Sequence, residues 1–78
     1  MTNPPDYTAE LPVHFDNGQL IPTTKGIWVV YSWLPQQGRW YAVLASTIED
    51  TARSFVRDVT EDLKAKGVPC WYQVKEVK

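Results

Sequence analysis

The chain predicts a small α+β domain: a short antiparallel sheet with one amphipathic helix on one face and an N-terminal hairpin or arm. Three features carry this expectation. Residues 28–34 and 39–44 are runs of β-branched and aromatic residues separated by Pro35-Gln36-Gln37-Gly38, a turn composition in which Pro fixes φ and Gly supplies a positive one. Residues 48–66 repeat apolar side chains at three- and four-residue spacing, the period of a helix with one buried face. Gly67 and Pro69 then end that helix ahead of a last strand-like run over 70–77.

Taken in order, residues 1–10 carry Pro4, Pro5 and Asp6 among small polar residues and are expected to form a frayed or surface-draped tail. Leu11-Pro12-Val13-His14-Phe15 and Gln19-Leu20-Ile21 flank Asp16-Asn17-Gly18. Asn-Gly is a strong hairpin signal, and Pro12 and Pro22 suit edge strands because they lack a backbone donor. The central hairpin of residues 28–44 follows and holds three of the four tryptophans. Ser46 or Thr47 is the expected helix cap, with Glu49 and Asp50 favourably placed at the positive end of the helix dipole. The helix is expected to run from near Ile48 to about Lys66, burying Ala52, Phe55, Val56, Val59 and Leu63. A right-handed crossover would set the last strand beside residues 27–34, giving strand order 2-1-3 in a β-β-α-β chain.

The central hairpin is apolar on both faces. A four-residue turn would set Trp33 opposite Trp40, Tyr31 opposite Ala42 and Val29 opposite Leu44 on one face. Trp28, Val30, Ser32, Leu34, Arg39, Tyr41 and Val43 would lie on the other. A sheet with a solvated face should alternate apolar with polar residues, so a single helix leaves one face in need of a second cover. The candidates are the N-terminal arm, a second copy and a different partner. The expectation is partial cover by the arm, leaving an aromatic patch with Arg39, Ser32 and Gln73 at its margin.

Bulk properties narrow the function. The 78 residues make one domain with a modest core, since chains of this size bury only about 60 to 65 % of their unfolded surface. Lys plus Arg number 8 against 9 Asp plus Glu, a net charge of −1, which gives no broad attraction to polyanions. A lone Cys70 closes no intrachain disulfide, and Met-Thr-Asn-Pro-Pro-Asp lacks the regions of a signal peptide, so a cytoplasmic setting is expected. No apolar run reaches the roughly 20 residues of a membrane-spanning helix.

Little catalytic chemistry is visible. Cys70 and His14 are the only thiol and imidazole, with no third group to orient them. One Cys and one His fall short of the four ligands of structural zinc. Glu49/Asp50 and Glu61/Asp62 are adjacent on a helix and point apart, which suits a solvated face. The glycines are isolated and form no phosphate-binding loop. No catalytic residue, cofactor or metal is expected.

Tyr41-Ala42-Val43-Leu44-Ala45-Ser46, the helix with Ala52 and Phe55 ending at Lys66-Gly67, and Trp71-Tyr72-Gln73-Val74 together resemble one β-α-β half of a SPOR peptidoglycan-binding domain. The resemblance covers under half of the chain and implies a ferredoxin-like unit. SPOR domains combine two such halves and work outside the cytoplasmic membrane, whereas one helical segment and no export signal are read here. No site residue is carried over from it.

The expected function is a small non-catalytic protein-binding module that presents an aromatic sheet surface or edge to another protein, self or foreign, with a homodimer as one form. Phage and mobile-element proteins acting on host proteins are one setting for such domains. The expected contact residues are Trp28, Tyr31, Trp33, Arg39, Trp40, Tyr41 and Trp71, because Trp, Tyr and Arg dominate interface hot spots. The alternative is single-stranded nucleic-acid binding by the sheet aromatics. Arg39 and Lys75 are the only cations on the expected sheet strands, which favours the protein partner.

Overall fold

Strand β1 (Trp28–Leu34) is the centre of a three-stranded antiparallel sheet, with β2 (Arg39–Ser46) on one side and β3 (Tyr72–Glu76) on the other, in the order β2-β1-β3. Helix α1 (Glu49–Ala65) connects β2 to β3. The structure, a computed structural model, describes residues 11–77, and the tail expected over 1–10 lies outside them. The predicted α+β class, element order and strand order are those observed.

The turn between β1 and β2 has the expected four residues. The amides of Gln37 and Gly38 both donate to the Leu34 carbonyl, at 3.1 and 2.8 Å, and Gly38 takes φ of 65°, a left-handed conformation that costs a residue without Cβ nothing. Trp33 faces Trp40 and Tyr31 faces Ala42, as the turn length requires. Beyond that point the register shifts. A bulge at Val43 moves Leu44 opposite Val30 and Ala45 opposite Val29, so the expected pairing of Val29 with Leu44 is not made. A bulge inserts one residue into one strand, and every later side chain changes face.

The helix lies on the face of Trp28, Val30 and Ser32 and touches all three strands, with the Arg53 guanidinium 5.7 Å from the centre of the Trp28 ring. Val30 and Ala52 are fully buried. Phe55, Val56, Val59 and Leu63 are half-buried, because three short strands do not cover the width of the whole apolar stripe. The expected caps Ser46 and Thr47 precede the actual N-cap, Ile48, which makes no side-chain capping bond. Ser46 instead accepts the Ile48 amide through Oγ at 3.1 Å. At the other end Val68 donates to Leu63 O and Gly67 to Lys64 O, at 2.9 and 3.0 Å, the paired bonds of a Schellman stop.

The opposite face is closed by the arm. Ile21 is buried with Val29, Tyr31, Trp40 and Ala42, and Leu11, Phe15, Trp33, Ala45 and Trp71 pack around them. The arm is a hairpin reduced to one bridge, His14 with Leu20. The Ile21 amide donates to Val13 O at 3.0 Å, and that of Phe15 to Gln19 O at 2.8 Å. Phe15 also forms a parallel bridge with Ala42, so the arm touches the outer edge of β2 as well as the face.

Trp40 is 1 % exposed, so Trp40→Ala should cost about 3 to 5 kcal/mol, which is most of the stability of a domain this small. Phe55→Ala should cost clearly less, because its side chain is only half-buried. Urea midpoints rank the two, and equal losses would contradict the two-sided packing described above.

Candidate functional site

The seven expected contact residues do not form one surface. Tyr31, Trp33, Trp40 and Trp71 belong to the arm-side cluster, with Trp33 packed edge-on against Trp40 at a ring separation of 5.4 Å and an interplanar angle of 64°. Tyr31 and Trp40 are buried and have almost no surface to present. Trp28 stands on the helix side beneath Arg53. Arg39 is exposed at the hairpin tip, its Nε donating to Gln37 Oε1 at 2.8 Å. Tyr41 is half-buried and reaches the outer edge of β2. The expected polar margin is also dispersed, since Ser32 is buried on the helix side and Gln73 alternates to the arm side.

Ser32 sits between two phenols. It pairs with Tyr41 across β1–β2 and with Tyr72 across β1–β3. Burial raises the Tyr72 pKa above the usual phenol value, a hydrogen bond from Ser32 pulls it back, and nearby Cys70 and Tyr41 add to the rise. On the other face burial alone raises Tyr31. Both phenols are thus neutral near neutral pH. Cys70 is half-buried beside β3 and His14 is exposed on the arm. Among the described residues no three His, Cys, Asp or Glu side chains gather as a metal site would require, and no helix is long and apolar enough to cross a membrane.

An open groove lies along β2. It is shallow, about 480 Å³, and runs between the strand, from Tyr41 to Ala45, and the arm turn at Phe15, Asp16, Asn17 and Gln19. Gly18 holds that turn at φ 87°, and Gln19 closes it by donating its amide to Asn17 Oδ1 at 3.0 Å. Ile48 is 59 % exposed and Leu20 66 % exposed. Sequence reading missed this region because it depends on how the arm turn meets β2. The signal available in the sequence was the absence of any charge from Trp40 to Ile48.

No family model, curated protein or solved structure matches the chain. The resemblance to half of a SPOR domain therefore reaches as far as the β-α-β order and the residues that carry it.

The two raised phenols make the stability of the fold fall at alkaline pH. Their folded-state pKa values lie above the unfolded value of 10.0, so the unfolded chain loses its phenol protons first as pH rises. Stability from this source is fully present below about pH 10 and falls as pH climbs through the folded-state values. Tyr31→Phe should flatten part of that fall in urea midpoints followed from neutral to strongly alkaline pH. An alkaline loss unchanged by Tyr31→Phe would mean that burial of this phenol is not linked to folding.

Proposed function

We propose that this domain is a non-catalytic protein-binding module that works through the edge of its sheet and the apolar side chains beside it. The carrying observation is the outer edge of β2: an uncharged run from Trp40 to Ile48, flanked by the groove along Tyr41 to Ala45 and by exposed Ile48. Soluble domains usually blunt such an edge with charge, because unpaired strands invite association. A phage or mobile-element protein acting on a host protein is one setting that fits so small a module.

Ile48 adds a second indication from stability. It occupies a helix N-cap, where Ser, Thr, Asp or Asn would satisfy an amide, yet it makes no capping bond and exposes more than half of its side chain. A locally unfavourable residue that is also exposed is the pattern left when a contact, rather than folding, selects the side chain. Nucleic-acid binding draws less support, since the aromatics are divided between two covered faces and few cations accompany them.

Ile48→Ser should therefore stabilise the domain by about 0.5 to 2 kcal/mol, the worth of a good N-cap, while weakening partner capture. Tyr41→Ala should weaken capture as well. The measurement pairs thermal melts with mass spectrometry of proteins retained by the tagged full chain from its native host. A retained protein lost with both variants supports the reading. Identical retention by wild type and variants would overturn it, and quenching of the tryptophans by a single-stranded oligonucleotide at low salt would favour the alternative.

A further inference from the structure

We infer that the outer edge of β2 receives an extended, basic segment of another protein as an added strand, with the arm turn as the stop at one end. This rests on the protein-binding reading and names the chemistry of the partner. The edge already accepts a strand neighbour, because Phe15 bridges to Ala42 in parallel. That pairing ends where the arm turns back at Asp16-Asn17-Gly18. Among the described residues nothing pairs with the outer side of Val43, Leu44, Ala45 and Ser46, an edge roughly 13 Å long.

Unpaired amides and carbonyls in a row are matched by another extended backbone, which offers donors and acceptors in the same alternation. The opposite edge of the sheet is less suited. β3 carries exposed Lys75 and Glu76, and charge on an edge strand opposes addition.

Charge also chooses between a foreign segment and a second copy. Among the described residues Asp16 is the only charged one lining the groove, beside apolar Phe15, Tyr41 and Leu44 and polar Asn17 and Gln19. In a two-fold antiparallel pairing, opposite residues share a face, so the axis must pass through a residue paired with itself. Centred on Ala45, such a pairing sets Thr47 of the second copy opposite Val43. The run that a second copy brings alongside, Trp40 to Ile48, carries no cation, so that copy offers Asp16 no opposite charge, whereas a basic segment does.

The test is an amide NMR titration of the labelled full chain with a short peptide of alternating lysine and valine. Controls are the same peptide with glutamate for lysine, and one N-methylated at alternate residues so that its pairing edge lacks donors. Expected are shifts and slowed amide exchange confined to residues 43–46 and 15–17, binding about twofold to fivefold weaker for the glutamate peptide, the range an exposed ion pair supplies, and no response to the N-methylated one. Asp16→Asn should erase the lysine preference while leaving the rest of the spectrum in place. Shifts centred on β3 or the helix, an equal response to the N-methylated peptide, or no response to any peptide would overturn the inference. Protection of residues 43–46 by self-association without peptide would overturn it too, by giving the edge to a second copy. In each of these cases the protein-binding reading still stands if host capture depends on Ile48 and Tyr41, and falls separately if it does not.

Discussion

Burial of β1 from both sides is the constraint on which the other elements depend. Val29 and Val30 are consecutive, point to opposite faces and are both shielded from water, a condition more usual for strands inside layered α/β sheets than for a sheet with one solvated side. Two separate covers are required. Helix α1 supplies one and the arm from Leu11 to Ile21 supplies the other. The price is thin coverage: each cover shields the middle of its face, while Phe55, Val56, Val59 and Leu63 remain only half-buried.

The bulge at Val43 connects this packing to the candidate site. After the inserted residue, Ala45 faces the arm-side cluster and Leu44 faces Val30 on the helix side. Ala45 is small enough to sit beneath the arm, whereas unbroken register would have sent Leu44 there. Bulges also bend the strand and increase its local twist. Here the bulge follows immediately after Ala42, where the arm leaves the edge, so one irregularity coincides with the end of the chain's own edge pairing and the start of the groove.

Two kinds of aromatic residue emerge from one conspicuous cluster. Trp40 and Tyr31 are structural and carry the arm-side core, while Tyr41 and Trp28 keep some exposed surface on the helix side. Enrichment of Trp and Tyr is common to cores and to interfaces. Composition alone therefore brought together seven residues that the fold separates.

The class of fold, the order of the strands, the four-residue turn and the helix span were all legible in the sequence, because each rests on a local period or on turn and stop residues such as Pro35, Gly38 and Gly67. The two-sided apolar pattern of residues 28–44 also showed that a second cover was needed. The arm was also the expected partial cover; tertiary structure decided that it closes that face through Ile21 and Phe15, that Ile48 takes the N-cap in place of Ser46 or Thr47, and that Val43 breaks the register. It also decided that an open groove lies along the outer edge of β2. These features depend on contacts between segments far apart in the chain, such as Phe15 with Ala42 and Ile21 with Tyr31, and a periodic pattern carries no information about which distant partner fills a face.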